Sequence, residues 1–266
     1  MTRRLLVVLL VVSMPLFAHE GLHEQIAEMT RRIEADPSNA ALFLKRGELY
    51  RLHEQFELAA RDYDRAAALD PQLHAVDLGR GLLWTASGRT ADAIDALQRY
   101  VAAKPNDAAG HIALARALVS AGRAAEGAME YTAALRGVQD PDIAIERAKA
   151  LFAAGRTDEA LRGIDDMLER LGPVVTLQLA AIDIAVQRGD VDGALRRIDA
   201  AMAATPRKES WLELRGDTLR RAGRAAEARE AYQAALDAIA SLPPERRATR
   251  AVIDRERRLR LGVRRR

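Results

Sequence analysis

The feature that most constrains this chain is an internal period of about 34 residues. Glycines recur at intervals of 34, 33, 34 and 34 residues, at Gly88, Gly122, Gly155, Gly189 and Gly223. Prolines at positions 37, 71 and 105 keep the same interval. A period of this length is typical of repeat architectures, in which each unit packs mainly on its neighbours. In this register the chain contains six copies, which span residues 40–73, 74–107, 108–140, 141–174, 175–208 and 209–242.

Each copy predicts two helices. Apolar residues recur every three or four positions, and no stretch alternates with the period of two that a half-buried strand shows. The recurrent glycine is expected to end the first helix, where a positive φ is needed, and the recurrent proline to end the second. Alanine and glycine at fixed places let the helices pack closely, which accounts for a 49% hydrophobic chain with only 4% aromatic residues. The predicted fold class is therefore all-α.

The first copy shows the full pattern of large and small residues. It places a large, a tiny, a large, a small, a large and a small residue before a proline: Phe43, Gly47, Tyr50, Ala59, Tyr63, Ala66 and Pro71. This pattern, which varies most in copies four and five, resembles the tetratricopeptide-repeat family over nearly all of the chain beyond residues 1–18. The resemblance implies a right-handed superhelical solenoid of about six stacked antiparallel helix pairs with capping helices.

The same resemblance implies that a partner protein or peptide binds in a concave groove, built mainly by the first helices. Some family members grip the carboxyl terminus of a partner with paired Asn and Lys on first helices. Here the two Asn residues of the chain, Asn39 and Asn106, fall in turns between repeats, so that clamp is absent. We expect the groove to be lined by Leu44, Glu48, Leu78, Leu82, Ile112, Arg116, Ile145, Lys149, Leu179, Asp183, Glu213 and Asp217.

Both ends of the chain differ from the repeats. Residues 1–18 combine two arginines, an unbroken apolar run and a small residue, Ala18, which is the pattern of a cleavable secretory signal peptide. We therefore expect the mature protein in a periplasm, where a chain without cysteine is indifferent to oxidation. Residues 19–39 predict an amino-terminal capping helix. Residues 243–266 predict a basic capping helix, from about residue 245 to 261, and a short tail.

Charge is distributed unevenly along the chain. Residues 245–266 carry a net charge of +7 and the leader carries +2, so the total of +3 leaves −6 for residues 19–244. Runs of charge are usually solvated faces, but a basic end could also meet anionic lipids, an acidic protein or the chain's own acidic body. Nucleic acid is not expected as a partner, because no aromatic residues are interleaved with the arginines. We expect a monomer that could touch a membrane only through this tail.

A histidine motif provides an alternative function. Residues 19–23 read H-E-x-x-H, which in zinc proteases supplies two ligands and a general base. The motif begins at the predicted cleavage site and no third ligand is near it in the sequence, so proteolysis is not expected. A free amino terminus on His19, together with His23, could still bind copper, nickel or zinc, which would make this a metal-binding or metal-delivery protein. No cofactor is implied, and no nucleophile or phosphate-loop motif supports an enzyme.

Arginines recur immediately before the small residue of four first helices, at Arg46, Arg80, Arg147 and Arg215. They could line the groove and bind carboxylates of a ligand. The interpretation that we favour is that each pairs with a carboxylate of a neighbouring helix, such as Asp62 or Asp95, while its aliphatic stem covers the alanines.

Overall fold

The structure is a computed structural model that describes residues 16–264, with side chains from residue 21 onward. The predicted signal peptide, residues 1–18, lies almost entirely outside the described residues. Residues 16–264 form helices and connecting turns with no strand, which confirms the predicted all-α fold. The chain divides into two compact units, Met1–Ala121 and Gly122–Arg266.

Unit 1 contains the amino-terminal helix, two complete helix pairs and the first helix of the third copy. Within it α1 packs on α2, α2 on α3 and α4 on α5. Its buried residues form one cluster around Tyr63 and another around Leu97. The helices of unit 1 are α1 (Leu16–Ala35), α2 (Ala40–Leu52), α3 (Phe56–Leu69), α4 (Ala75–Ala86), α5 (Thr90–Ala103) and α6 (Ala108–Ser120).

Unit 2 contains the remaining copies and the carboxyl-terminal helices. Its largest buried cluster surrounds Trp211 and Tyr232. The helices of unit 2 are α7 (Ala124–Ala134), α8 (Pro141–Ala153), α9 (Thr157–Leu171), α10 (Val175–Arg188), α11 (Val191–Ala203), α12 (Glu209–Arg221), α13 (Ala225–Ala240), α14 (Pro244–Arg247) and α15 (Arg250–Arg264). Over residues 16–264, no helix has both the length and the apolar composition needed to cross a membrane.

Glycine on a first helix makes room for a large side chain of a second helix, as the sequence pattern predicts. Tyr63 of α3 is fully buried between two such glycines, Gly47 of α2 and Gly79 of α4. A Cβ added at these positions would lie 2.7 Å and 2.9 Å from the tyrosine ring. Because such separations are well inside normal van der Waals contact, glycine is what allows these helices to approach.

The turn inside each helix pair requires a left-handed backbone. Gly88, between α4 and α5, has φ of 76°, and the other recurrent glycines behave alike. In the first pair this place is taken by Glu54, which adopts φ of 60°. A left-handed conformation is unfavourable for a residue with a Cβ, which prefers a negative φ. The packing of α2 against α3 therefore holds Glu54 in a conformation that it would not adopt by itself.

The carboxyl-terminal helix is shorter and starts later than the sequence predicts. The expected single helix over residues 245–261 was wrong, because α14 ends at Arg247 and α15 begins at Arg250. The Thr249 hydroxyl donates a hydrogen bond to the Arg246 carbonyl (2.8 Å), and the Thr249 carbonyl accepts one from Ile253 N–H (3.0 Å). Thr249 thus closes one helix and starts the next, a position that its side chain favours.

Candidate functional site

The predicted groove residues of unit 1 lie on three neighbouring first helices. α2 packs against α4, and α4 packs against α6. None of the six is buried: Arg116 is exposed to solvent and the other five are partly exposed. The six are Leu44 and Glu48 on α2, Leu78 and Leu82 on α4, and Ile112 and Arg116 on α6. Unit 1 therefore presents a partly exposed, mainly apolar series, and its role in binding stays a prediction.

The predicted groove residues of unit 2 are also all at least partly exposed. They are Ile145 and Lys149 on α8, Leu179 and Asp183 on α10, and Glu213 and Asp217 on α12. α8 packs directly against α10. Between α10 and α12, by contrast, the structure leaves an open pocket of about 580 Å³. Leu179, Glu213 and Asp217 line it, so the structure brings three of the six together.

The wall of this α10–α12 pocket combines an apolar part with polar and charged residues. Its apolar part consists of Val175 and Leu179, one turn apart on α10, together with Trp211 and Leu214 of α12. Val175 is 49% exposed and Leu179 is 43% exposed. Single exposed apolar residues are common, but a pair of them on the wall of a concave site is typical of a place where a ligand binds. Val175, Trp211 and Leu214 were not predicted, although the four-residue spacing of Val175 and Leu179 was a visible signal.

A helix from outside the repeats forms one side of the pocket. Arg255 of α15 donates from Nε to Oε2 of Glu213 (2.8 Å), and Arg258 donates from Nη2 to Oε1 (3.1 Å). Val252 and Leu259 of the same helix are buried in the unit 2 core. The basic carboxyl-terminal segment thus meets the chain's own acidic body at Glu213. The sequence could not single out this pairing, because the partners are 42 and 45 residues apart.

Asp217, at the other end of the pocket, is also held by internal hydrogen bonds. Its Oδ1 accepts one from the Tyr232 hydroxyl (2.8 Å) and one from Arg220 Nη2 (3.2 Å). Burial and the bond to Asp217 raise the pKa of Tyr232 above its ordinary value, so the phenol remains a donor at neutral pH. Together with the arginines on Glu213, these bonds satisfy both carboxylates that line the pocket.

An ion pair between a buried glutamate and an exposed arginine lies at the start of α12. Glu209 is 2% exposed and accepts a hydrogen bond from Arg207 Nε (2.8 Å). Burial alone would raise the pKa of Glu209. Hydrogen bonds from its own backbone N–H and from Arg207, with the nearby charges of Arg207 and Arg255, outweigh that effect and lower the pKa. Glu209 is therefore a carboxylate at neutral pH, and it fixes the position of Arg207 on the pocket rim.

The recurrent first-helix arginines pair with carboxylates of neighbouring helices. Arg46 donates to both oxygens of the buried Asp62, at 2.7 and 2.8 Å, as the sequence suggested. Asp95 was wrong as a partner, because Arg80 pairs instead with Asp64 of the preceding second helix. The remaining pairs are Arg80–Asp64, Arg147–Glu159 and Arg215–Asp199, with nitrogen–oxygen distances of 2.5, 3.3 and 2.6 Å. These guanidinium groups stabilise helix packing and are not directed at a ligand.

Of the two predicted metal ligands, His19 and His23, the structure describes the side chain of His23. The side chain of His19 lies outside the described residues. His23, on α1, has its Nε2 atom 3.1 Å from Nε2 of His53, which follows the last residue of α2. The sequence showed no further histidine near the motif, because His53 is 30 residues away. Among the side chains that the structure describes, no group of three or more His, Asp or Glu is placed to share a metal ion.

Comparison with known proteins agrees with this architecture. Two family models match the chain: one described as "Tetratricopeptide repeat" matches residues 44–108 and 112–174, and one described as "Tetratricopeptide repeat-like domain" matches residues 165–254. A search of curated protein sequences found no significant match. Many solved structures are similar.

Three of these structures illustrate the likeness. The carboxyl-terminal part of a TPR repeat-containing protein from Cytophaga hutchinsonii has a TM-score of 0.67 and 15% identity, over 90% of this chain and 96% of that one. A tetratricopeptide repeat protein from Parabacteroides merdae has a TM-score of 0.55 and 14% identity, over 92% and 94%. YrrB, described as a TPR protein with an unusual peptide-binding site, has a TM-score of 0.56 and 20% identity, over 67% and 92%. At these identities the likeness is one of fold, and with the family models it shows that this chain belongs to the tetratricopeptide-repeat family.

Proposed function

We propose that this protein is an interaction scaffold that holds a segment of a partner protein against its first helices. In unit 2 the α10–α12 pocket would receive an apolar side chain of that segment, in either an extended or a helical conformation. Tetratricopeptide repeats are in general protein-interaction modules, and the fold alone does not specify the partner.

The observation that carries the proposal is the exposed apolar wall of the pocket. Glu213 and Asp217 already accept hydrogen bonds from side chains of this chain. Val175 and Leu179 have no such internal compensation, because somewhat less than half of their surface remains in contact with water. Covering them with an apolar side chain would release that water, which is the main favourable contribution to such binding. The pocket therefore favours an apolar anchor over a small anion.

We also propose that the protein acts in a periplasm. The support is the pattern of residues 1–18, which is that of a cleavable secretory signal peptide. Cell fractionation, together with amino-terminal sequencing of the purified protein, tests this proposal. A mature chain that begins at or near His19 is the expected result, and an intact leader on cytoplasmic protein would contradict it.

Site-directed photo-crosslinking tests the scaffold proposal. A photoreactive amino acid placed at position 179 should capture a discrete partner in living cells, because that side chain lies on the pocket wall. Met129 of α7 provides a matched control, since it is an exposed apolar residue of the same unit on a second helix. The same probe at position 129 should not capture that partner.

Two substitutions then test whether the captured partner binds through the pocket wall. Leu179→Asp places a charge on the pocket wall and should abolish co-purification of the partner that the crosslink identified, whereas Met129→Asp should leave its co-purification unchanged. The proposal would be refuted if both probes captured the same proteins, or if Leu179→Asp bound the identified partner as tightly as the original chain. Circular dichroism of both variants verifies that each is folded.

A further inference from the structure

The closest contact between histidines in the described part of the chain joins α1 to the end of α2. The Nε2 atoms of His23 and His53 are 3.1 Å apart. Their ring centroids are only 4.4 Å apart and the ring planes are inclined by 60°. The two Nε2 atoms are at hydrogen-bond distance, so that one ring donates and the other accepts according to their tautomers, and a metal ion held by both nitrogens would take the place of the shared proton.

We propose that His23 and His53 form a two-imidazole binding site for a divalent transition-metal ion, with Cu²⁺ as the best fit. Metal–nitrogen bonds to histidine are about 2.0–2.1 Å long. Two such bonds that span the 3.1 Å separation enclose an angle at the metal of roughly 100°. That angle suits adjacent positions of a tetragonal Cu²⁺ complex and requires little change for a tetrahedral ion such as Zn²⁺.

The chemistry of the two side chains agrees with this geometry. Neutral imidazole is a good ligand for copper, zinc and nickel, and each ring can offer Nε2 when its proton is on Nδ1. His23 is exposed to solvent, so water can fill the remaining coordination positions. A site with two protein ligands is open and exchanges its metal readily, which suits capture or transfer of an ion more than a permanent structural role.

This site differs from the one that the sequence suggested. There, His23 was paired with His19 at the amino terminus of the mature chain. In the structure its neighbour is His53, directly after the end of α2, so binding does not depend on where a leader is removed. The site is also independent of the α10–α12 pocket, which belongs to the other unit.

Copper titration of the tag-free protein tests the proposal. Protein made from the full-length coding sequence is titrated with Cu²⁺ by calorimetry, and electron paramagnetic resonance reports the number of nitrogen donors. We expect one Cu²⁺ per chain with two histidine nitrogens. His23→Ala and His53→Ala should each weaken binding by at least about tenfold, since even residues that only support a metal ligand commonly have effects of that size.

Two control variants complete the design. His74→Ala, in the same unit but outside the pair, should leave the affinity unchanged. His19→Ala distinguishes the amino-terminal alternative. The proposal is overturned if no stoichiometric Cu²⁺ binds, if binding survives His53→Ala, or if His19→Ala abolishes binding while His53→Ala does not. Because His23 is exposed, His23→Ala keeps the test valid even if His53→Ala disturbs the end of α2.

Discussion

Because α4 and α5 approach closely, the Leu97 side chain should decide whether Gly81→Ala stabilises or destabilises unit 1. Gly81 of α4 lies against Leu97 of α5, which is fully buried. A Cβ added at Gly81 would lie 2.6 Å from Cδ2 of Leu97 and within reach of its Cγ. Because the branch point of the leucine is involved, a simple rotation of a flexible end cannot relieve the overlap.

Two opposing effects determine the consequence of Gly81→Ala. Alanine is favoured over glycine inside a helix by about 0.5–1 kcal/mol. Overfilling a packed core costs about 1–3 kcal/mol, and the observed overlap belongs in the upper half of that range. We therefore expect Gly81→Ala to lower the free energy of unfolding of unit 1 by about 1–2.5 kcal/mol.

Removing the obstructing side chain should reverse that sign. Leu97→Ala alone should cost about 2–5 kcal/mol, because it leaves a cavity. In the Leu97→Ala background, Gly81→Ala meets no overlap and should stabilise by about 0.5–1 kcal/mol. The double-mutant cycle should therefore give a coupling free energy of about 2–3 kcal/mol.

Urea unfolding, followed by the fluorescence of Trp84 on α4, measures all four proteins in the cycle. A Trp211→Phe background confines the fluorescence signal to unit 1, and far-UV circular dichroism verifies that each variant is folded. The reasoning would be refuted if the two substitutions were additive within about 0.5 kcal/mol, since independent sites behave that way. It would equally fail if Gly81→Ala stabilised the original protein.

Two further predictions concern single positions. Glu54→Gly should raise the free energy of unfolding of unit 1 by about 0.5–1 kcal/mol in the same urea assay. The reason is that Glu54 has φ of 60°, a backbone conformation that glycine adopts without strain. An unchanged free energy of unfolding would show that the turn is not strained. Glu209→Gln should destabilise unit 2 by about 1 kcal/mol near neutral pH. The pKa of Glu209 in the folded protein lies below its ordinary 4.5, so its carboxylate stabilises the fold fully above pH 4.5, and this stabilisation is lost as the pH falls through the folded pKa. The urea midpoints of the original protein and the variant should therefore converge in acid. A difference in midpoint that persisted there would contradict the role of the Glu209 charge.

The helical repeat could be predicted because its determinants are local and recur. Glycine in each turn and proline after each pair act through their own backbone, and they place most helix boundaries within a few residues. The small residue at Gly47 opposite Tyr63 could be read from spacing for the same reason, since the two belong to neighbouring helices of one copy. The break at Thr249 escaped prediction, because the surrounding residues are compatible with a continuous helix and a single hydroxyl bond accompanies the interruption.

The candidate sites depended on contacts that no local pattern encodes. Sequence position placed Leu179, Glu213 and Asp217 on first helices, but the pocket exists because α10 and α12 stand apart while α15 returns to bind Glu213. His23 likewise lies beside His53, which is 30 residues away in the turn after α2, and not beside a histidine that its own motif could identify. The sequence by itself determined the helices, their period and the family, because these follow from backbone preferences and local spacing. The tertiary structure alone decided which distant side chains meet, because that depends on how successive helices pack against one another.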